Sequence, residues 1–572
     1  MRRAFALHRA GDIPAAEALY RRILEILPED ADAHFLLGCI AQQRGRLDEA
    51  GELVGAAIRV NRREPEFHRT LARVQFAQGL WRETVASCEE AMRLGTPDPQ
   101  DWDLIGSSQA ELGDIAGAER CFDRAIAIAP DAPEPVYHAA WARRELGKHR
   151  ESLAYFRRAR ELQPDNLSAL SGYLFSLNFS PDLDRAEIFR EHLECGKLLR
   201  IAHPPRASVP RGGPREKLRI AYISPDFRYH AVSFFVEPLL MHHDRARFEV
   251  WCCHLHPHRD AMTDRLRRLS DHWIDCAPLS DEEIARRIET AQVDVLVDLA
   301  GHTDMNRIAV LARRPAPVIA TWLGYLNTTG TDAVDFRITD PVSDPPGATE
   351  QFHAEKLLRL PQTQWCRRPP ETAAKVSSLP LSRSGSVRFA SFNKSSKVTD
   401  ETLHLWSRLL TRVANSTLLF VGIDRGRWDS LPQAFAALGV APERLDFRER
   451  VPLEEFFVLH EEVDIALDGY PYSGATTTLD SLWMGVPTLT LAGEWPMSRS
   501  TASILTALEL EDWIARTPEE FLDIAARKAA DPPALAALRS GLRERLVRSI
   551  LMDGPRFTSQ LEDLYWQMWD DR

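Results

Sequence analysis

Two lysines stand three residues apart in a polar turn of this chain, within FASFNKSSKVTDETLHLW at residues 389–406. They are Lys394 and Lys397, preceded by Asn393, and the whole chain has only eight lysines. The apolar residues before the turn predict a strand, and the residues after it predict a helix. A lysine beside the free N–H groups of a helix start is suited to bind phosphate. The segment therefore predicts an anion site, with a solvated loop as the alternative.

A second polar turn, LDGYPYSGATTTLDSLWMGVPTLTL at residues 467–491, also links a predicted strand to a predicted helix. Thr476 and Thr477 stand at the predicted helix start, and Asp480 follows within the first turn. Hydroxyl and N–H groups at a helix start form an anion site. An acidic residue in this place can also hold a ribose hydroxyl, as it does in dinucleotide-binding folds. Ordinary N-capping is the alternative.

Histidine and carboxylate side chains follow two other predicted strands. Asp226 and His230 lie in ISPDFRYH at residues 223–230, and Asp298, His302 and Thr303 lie in VDLAGHTDMNR at residues 297–307. A histidine has an ordinary pKa near neutrality, so it can accept or orient a proton during catalysis. The alternative for both segments is a loop whose polar residues have no chemical role.

A glycine-containing turn follows a further predicted strand, in WLGYLNTTG at residues 322–330. Gly324 lies in this turn, where the absence of a side chain permits another backbone or a ligand to approach closely. By itself the segment predicts only a turn.

One group of metal-ligand residue types does not predict a metal site. Cys252, Cys253, His254, His256 and His258 are close in sequence, but they continue a predicted strand. Neighbouring strand residues face opposite sides of a sheet, so this group of side chains is not expected to bind a metal ion. No Walker lysine motif and no GxSxG nucleophile motif occurs in the sequence.

Short apolar runs that alternate with helical stretches must position these turns. The predicted strands are 218–224, 248–254, 293–300 and 317–322 in a first set, and 387–392, 417–421, 444–447, 463–468 and 487–491 in a second set. This alternation predicts two doubly wound α/β lobes, at 218–370 and 387–572, joined by a linker at 371–386. Ligands of such sheets bind at the carboxyl ends of the strands, where the polar turns lie.

A 34-residue repeat occupies the N-terminal third. Its clearest column is Gly11, Gly45, Gly79, Gly113 and Gly147. The period is that of tetratricopeptide repeats (TPR), in which two helices per repeat stack into a superhelix with a concave groove. We expect this α-superhelix at residues 1–200, followed by a boundary rich in Pro, Gly and Arg at residues 201–217. Scaffolds of this kind bind peptides or proteins.

The composition excludes several classes of protein. The formal net charge is −12 and the pI is near 5.9, so a predominantly basic nucleic-acid-binding surface is not indicated. The eight cysteines show no disulfide framework, which favours a reducing compartment. No signal peptide and no apolar run of membrane-spanning length appears. We therefore expect a cytoplasmic protein with no membrane span.

The repeats and four motifs, in this order, closely resemble the O-linked N-acetylglucosamine (O-GlcNAc) transferases, in a bacterial form. The motifs are SPDFRYH, RPAPV..TWLGY, FNKSSK and GATTTLD..WMGVPTLTL. The resemblance covers essentially the whole chain. It implies a GT-B fold made of two Rossmann-like domains. It also implies transfer of N-acetylglucosamine from UDP-GlcNAc to Ser or Thr hydroxyls of proteins, with inversion and with no required metal or other cofactor.

The resemblance also implies roles for individual residues. His230 matches a histidine proposed as a base or as an acceptor-site residue, and Lys397 matches the lysine on the diphosphate. Thr476 and Thr477 match contacts to the phosphates, and Asp480 matches the acid that holds the ribose. The other implied residues are Thr303 and Gly324 as sugar or phosphate contacts, Asn393 and Lys394 in the donor site, and Asp298 and His302 as further catalytic candidates.

The sequence departs from the family pattern at several positions. Ala475 replaces a frequent histidine, Lys394 replaces a common glutamine, and Leu453 and Phe456 stand where animal members carry lysine and histidine near the uracil. Animal members bind peptides through an asparagine ladder in the repeats, whereas Asn61 is the single asparagine of residues 1–160 here. Two alternatives therefore stay open. One is a TPR adaptor that binds a nucleotide sugar with little turnover, and the other is a transferase for another sugar or an Asn acceptor.

Overall fold

The computed structural model describes residues 1–180, 183–206 and 216–571 of the chain. The contacts divide these residues into two compact units. The first contains residues 1–146, 154–163 and 424–426, and the second contains residues 147–153, 164–423 and the described residues from 427 onwards. Residues 164–200, predicted as the end of the repeat region, thus belong to the second unit. Residues 207–215 of the predicted boundary lie outside the described residues.

Paired helices form the repeat region, as predicted. The helices described up to residue 162 are α1 (Arg2–Arg9), α2 (Ile13–Ile26), α3 (Ala31–Gln43), α4 (Leu47–Val60), α5 (Pro65–Ala77), α6 (Trp81–Leu94), α7 (Pro99–Glu111), α8 (Ile115–Ile128), α9 (Pro133–Glu145) and α10 (His149–Leu162). The five glycines of the 34-residue column lie in the turn inside each pair, with φ between +71° and +86°. Only glycine adopts this left-handed backbone without strain, which explains the regular column.

Small side chains let the two helices of each repeat approach closely. Ala16, Ala50 and Ala118 occupy one 34-residue column and are fully buried. A Cβ added at Gly106 would collide with the Phe122 ring of the paired helix. The repeats therefore bury their apolar faces through a recurring pattern of small residues against large ones.

The second unit begins with α11 (Leu167–Leu177) and α12 (Arg185–Ala202), which precede a parallel sheet of seven strands. These strands are β1 (Leu218–Ser224), β2 (Phe248–His254), β3 (His272–Asp275), β4 (Val295–Asp298), β5 (Val318–Thr321), β6 (Phe336–Thr339) and β7 (Lys356–Arg359). The helices between them are α13 (Ala231–His242), α14 (Ala261–Leu269), α15 (Asp281–Thr290) and α16 (Ile308–Ala312). The strand order is β3-β2-β1-β4-β5-β6-β7.

A second parallel sheet has six strands in the order β10-β9-β8-β11-β12-β13. They are β8 (Val387–Ser391), β9 (Ser416–Val421), β10 (Leu445–Arg448), β11 (Ile465–Leu467), β12 (Thr488–Leu491) and β13 (Ile514–Ala515). The accompanying helices are α17 (Leu381–Ser384), α18 (Asp400–Arg412), α19 (Ser430–Ala437), α20 (Leu453–Leu459), α21 (Thr476–Trp483), α22 (Ser500–Thr506), α23 (Pro518–Ala529), α24 (Pro532–Val547) and α25 (Gly554–Asp570). Two doubly wound α/β lobes are therefore present, as predicted.

The strand order reverses once in each sheet. In the first, the chain builds β1, β2 and β3 towards one edge and then returns to place β4 on the other side of β1. In the second, it builds β8, β9 and β10 in the same way and then places β11 beside β8. Loops that leave two such neighbouring strands run in opposite directions, which opens a crevice at the carboxyl edge of the sheet.

The sequence predicts nine of the strands found in the described residues, β1 and β2 with the observed bounds. It misses β3, β6, β7 and β13, which have two to four residues each. Three of these lack the continuous apolar run that predicts a buried strand. β3 is only half-buried, β6 contains the fully buried Arg337, and β7 begins with the exposed Lys356. β13 has only two residues, too few to show a period.

The last helix of the chain returns to the first lobe. Tyr565 of α25 lies with its hydroxyl oxygen 2.9 Å from that of Tyr222 on β1. Glu562 of α25 has Oε1 2.9 Å from Nδ1 of His243, at the end of α13. The range 387–572, predicted as the second lobe, therefore includes a helix that packs against the first.

Three further properties bear on the predicted classes. Within the described residues, no helix combines the length and the apolar character needed to cross a membrane. In the same part of the chain, no three His, Cys, Asp or Glu side chains are grouped to hold a metal ion. All eight cysteines are free thiols.

Candidate active site

The predicted site segments follow the four strands that flank the two reversals of strand order. Residues 226–230 follow β1, and residues 298–303 begin at the last residue of β4. Residues 393–397 follow β8, and residues 468–480 follow β11. The topology therefore places every one of these segments at the crevice of its lobe. Gly324 follows β5, one strand further along the first sheet.

Lys397 lies in a 3₁₀ turn, Ser395–Lys397, in the loop that follows β8. Its ammonium group donates a hydrogen bond to the carbonyl oxygen of Ser473 at 2.7 Å and lies 4.6 Å from the ring centre of Tyr472. Burial lowers the pKa of Lys397 to about 8, Asp468 opposes this shift, and the charge of Lys394 adds to it. A partly desolvated ammonium group is thus held against the loop that leads into α21.

The start of α21 has no side-chain cap. Ala475 occupies the N-cap position and offers no side-chain hydrogen bond. The hydroxyl groups of Thr476 and Thr477 receive no hydrogen bond from, and donate none to, any described residue. The alternative of ordinary N-capping therefore does not describe this helix start, whose N–H groups and hydroxyls remain available to an anion.

Asp468 shapes the loop between β11 and α21. Its Oδ1 accepts hydrogen bonds from the backbone N–H groups of Gly469 (3.0 Å) and Gly474 (2.7 Å), and its Oδ2 accepts one from the Thr490 hydroxyl (2.7 Å). These bonds fold the loop back on itself and place Ser473 beside Lys397.

Asp480 lies on α21 and is paired with an arginine that sequence reasoning missed. Nη1 of Arg367 donates a hydrogen bond to Oδ1 of Asp480 at 2.7 Å, and both side chains are buried. Burial raises the pKa of Asp480, and the Arg367 charge opposes that rise. The two residues are 113 positions apart, so no local pattern in the sequence could have indicated the pair.

Asn393 and Lys394 differ in what they contact. The side-chain amide of Asn393 donates to the Ser391 hydroxyl and to the carbonyl oxygen of Leu467, both at 3.2 Å, and so ties the end of β8 to the end of β11. Lys394 is exposed, and its charge lowers the pKa of both Asp226 and His230. The loop after β8 therefore faces the loop after β1 of the other lobe.

His230 and Asp226 form a close pair after β1. Nδ1 of His230 caps α13 by accepting a hydrogen bond from the N–H of Val232 at 3.4 Å, and it lies 3.4 Å from Oδ1 of Asp226. Burial, with Lys394 and Arg228, lowers the pKa of His230 to about 3, whereas burial raises the pKa of Asp226 to about 6. At neutral pH this places a neutral imidazole beside a carboxylate whose pKa suits a general base.

The carboxylate of Asp298 accepts its hydrogen bonds from residues of its own lobe. It accepts from the N–H groups of Ala300 (3.2 Å) and Gly301 (2.7 Å) and from the hydroxyl of Thr321 (3.1 Å), and burial raises its pKa to about 6. Thr303 donates its hydroxyl to the carbonyl oxygen of Ala300 at 2.9 Å. Both contacts favour a role in shaping the loop after β4.

His302 links the loop after β4 to two other segments. Its Nδ1 lies 3.1 Å from the hydroxyl of Ser171 on α11, and its Nε2 lies 2.9 Å from the carbonyl oxygen of Thr329. The imidazole is buried, which lowers its pKa to about 4. Gly324 packs equally closely, because an added Cβ would collide with the carbonyl oxygen of Leu299. Direct substrate contacts by His302 and Gly324 stay predictions.

Leu453 and Phe456 depart from the family pattern near the predicted uracil site, and the structure shows how each side chain packs. Leu453 begins α20 and is 46% exposed. The Phe456 ring packs edge-on against Phe392, with ring centres 5.4 Å apart, and Phe392 in turn stacks on His460 at 4.0 Å. This corner of the second lobe is therefore aromatic and apolar, and its effect on base recognition stays a prediction.

Comparisons with known proteins agree with this architecture. The model of glycosyl transferase family 41 matches residues 185–367 and 372–561, and tetratricopeptide repeat models match residues 7–74 and 104–166. In the solved structure of an O-GlcNAc transferase mutant from Thermobaculum terrenum, 33% of residues are identical, with a TM-score of 0.83 over 89% of this chain and 97% of that one.

Curated plant proteins are also similar. A probable UDP-N-acetylglucosamine–peptide N-acetylglucosaminyltransferase of Petunia hybrida, SPINDLY, is 35% identical over 419 residues, which is 72% of this chain and 45% of that protein. Another of that description, SEC of Arabidopsis thaliana, is 29% identical over 381 residues, 65% of this chain and 39% of that protein. The chain thus spans less than half the length of these relatives.

Proposed function

The chain belongs to glycosyl transferase family 41, and we propose that it transfers N-acetylglucosamine from UDP-GlcNAc to Ser or Thr hydroxyls of proteins. We further propose that transfer inverts the anomeric carbon and requires no metal ion. The activities for which these relatives are named support the donor and the peptide acceptor. The structure of the Thermobaculum terrenum enzyme supports the same reaction, because it matches nearly the whole chain.

One observation carries the proposal: the Lys397 ammonium group and the uncapped start of α21 border the same short loop. A UDP diphosphate placed there would be neutralised by Lys397 and would accept hydrogen bonds from the N–H groups and hydroxyls at Thr476 and Thr477. These groups would stabilise the negative charge that develops on UDP as it leaves. Asp480 would accept a hydrogen bond from the ribose.

The reaction then requires a base on the opposite side of the cleft. In this mechanism the acceptor hydroxyl gives its proton to Asp226, its oxygen forms the new bond to the anomeric carbon, and the bond between that carbon and the UDP oxygen breaks. His230 lies within 3.4 Å of Asp226 and would orient the acceptor as a neutral imidazole. Asp298 and His302 would hold the surrounding loops, and Thr303 and Gly324 would line the sugar pocket.

The acceptor proteins would bind through the repeats. Tandem repeat helices form a continuous surface that suits an extended peptide, although a ladder of asparagines cannot form from Asn61 alone. The free state of all eight cysteines supports a cytoplasmic location. We expect no binding partner among nucleic acids.

Two measurements test this function. Isothermal titration with UDP and UDP-GlcNAc should show binding that Lys397→Ala strongly weakens. Mass spectrometry of lysate proteins incubated with the full chain and UDP-GlcNAc, with and without EDTA, should show added N-acetylhexosamine on Ser or Thr in both samples. Loss of transfer in EDTA would contradict the metal-free mechanism. Donor binding without any transfer would favour the adaptor, and modification of Asn, or with another sugar only, would favour the other transferase alternative.

A further inference from the structure

The segment between β7 and α17 supplies a buried arginine to the second lobe, which is the donor lobe of the proposed reaction. Arg367 donates from Nη1 to Oδ1 of Asp480 at 2.7 Å, with side-chain exposures of 5% and 7%. Its position is fixed from two other sides. Its backbone N–H donates to the carbonyl oxygen of Leu551 at 2.9 Å, and its guanidinium carbon lies 5.3 Å from the ring centre of Phe234 on α13.

The ion pair leaves one edge of the carboxylate unused. Arg367 binds Oδ1 only, and Oδ2 of Asp480 accepts no hydrogen bond from any described residue. A buried carboxylate without a cation would be driven towards its protonated form. Arg367 therefore favours the ionised form of the carboxylate and fixes its orientation, and an ionised carboxylate accepts hydrogen bonds more strongly than a neutral carboxyl group.

We propose that Arg367 is a positioning residue for the nucleotide: by holding Oδ1 of Asp480, it presents Oδ2 as the acceptor for the ribose hydroxyls. This inference rests on the proposed function, in which Asp480 binds the ribose. The contrasting interpretation is that the ion pair only holds the segment between β7 and α17 against α21. The two differ in what happens when the ribose hydroxyls are removed from the ligand.

The test compares UDP with 2′,3′-dideoxy-UDP, titrated calorimetrically into the full chain. The wild-type protein should prefer UDP. Arg367→Met should reduce that preference about tenfold, the size of one hydrogen bond to a charged group, because binding of UDP weakens while binding of the dideoxy analogue changes little. Arg367→Lys keeps a cation beside Asp480 and should recover part of the preference. In steady-state assays the donor KM should rise while kcat changes less.

Arg368→Met is the matched control. Arg368 lies next in the chain and pairs with Glu237 and Glu371, not with Asp480, so the preference for UDP should stay at the wild-type value. Should Arg367→Met fail to fold, Asp480→Asn replaces it and should lose the same preference.

Several outcomes would overturn the inference. One is equal weakening of UDP and the dideoxy analogue in Arg367→Met, and another is an unchanged preference in that variant or in Asp480→Asn. A wild-type protein that binds UDP without preferring it over the dideoxy analogue would also contradict the role of Asp480 as ribose acceptor. A wild-type protein that binds neither nucleotide would instead overturn the proposed function itself, and the inference with it.

Discussion

The two lobes place an aspartate at equivalent positions and then use the following loop differently. Asp298, the last residue of β4, and Asp468, the residue after β11, each accept hydrogen bonds from two backbone N–H groups of the following loop and from a threonine hydroxyl on the next strand. Beyond Asp298, the loop leads to His302, whose two ring nitrogens both have partners within the second unit. Beyond Asp468, the loop leads to α21 with an uncapped start.

This difference shows how a structural or a ligand-binding role can be assigned to a polar residue at the end of a strand. Its position at a reversal of strand order indicates that it borders a crevice, but not whether it serves the fold or a ligand. Hydrogen-bond partners decide, because a side chain whose polar atoms are already bonded to its own chain has little left to offer a substrate. By this criterion the loop after β4 serves the fold, whereas the start of α21 keeps groups that can bind an anion.

Lys397→Ala should have the largest effect, because it removes the ammonium group that lies beside the predicted diphosphate. Turnover should fall by about 10²–10³-fold, as when one charge-stabilising donor is removed from other enzymes, with an unchanged melting curve. The measurement is incorporation of N-acetylglucosamine into protein. Lys375→Ala, in the segment between the lobes, is the control and should keep wild-type turnover. Near-normal turnover of Lys397→Ala would contradict the proposal that the second lobe stabilises the leaving UDP.

Asp226→Asn should have the next largest effect, about a hundredfold on kcat, because it removes the proposed base. The pKa of Asp226 is about 6, so wild-type kcat/KM should fall as the pH drops below 6 and the carboxylate is protonated. The pKa of Lys397 is about 8, so kcat/KM should also fall as the pH rises above 8 and the ammonium group loses its proton.

The control for this profile is His230→Gln, which should lower activity while keeping both limbs. His230 is neutral throughout this range, because its pKa is about 3. A fall of kcat/KM at low pH that persists in Asp226→Asn would assign the base to another group. It would also contradict the proposal that the first lobe serves the acceptor and the second lobe serves the donor.

Much of this arrangement could be predicted from the sequence. The 34-residue column, the strands β1, β2, β8 and β9 and the segments around Lys397 and Thr476 each carry a local pattern, either a period or a polar turn after an apolar run. The pairing of Arg367 with Asp480 could not be predicted, because it joins residues far apart in the chain. The use of Asp298 and His302 as internal hydrogen-bond partners also depends on contacts that no spacing reveals.

Asp298→Asn and Asp468→Asn should both lower the free energy of unfolding, by about 1–3 kcal/mol each, because the substituted amide group turns a donor towards buried N–H groups. Denaturant unfolding measures this. The comparison lies in donor binding: Asp298→Asn should keep the UDP affinity of the folded protein, whereas Asp468→Asn should weaken it by disturbing the loop beside Lys397. Loss of UDP affinity in both variants would show that the two loops are not separated as proposed.

Tyr472→Leu should have the smallest effect, and it tests whether the loop beside Lys397 is independent of the loop that leads to His302. The ring centre of Tyr472 lies 4.6 Å from the Lys397 ammonium group, and the ring also stacks on that of Phe179, which follows α11, at 5.1 Å. An aromatic face favours the charged form of the lysine by about 0.5–1 kcal/mol. Its loss should therefore lower the pKa of Lys397, move the basic limb of kcat/KM to lower pH, and reduce turnover at pH 8 about two- to threefold.

Tyr472→Phe keeps the ring and should keep the wild-type profile, since only the hydroxyl is lost. Phe179→Ala removes the stacking partner but leaves the ring beside Lys397, so its effect should be smaller than that of Tyr472→Leu. If Phe179→Ala instead shifts the basic limb as far as Tyr472→Leu does, the position of the Tyr472 ring is set from the α11 side. The donor lobe would then depend on the helix that also holds His302, and the two loops would form one coupled site rather than an acceptor side and a donor side.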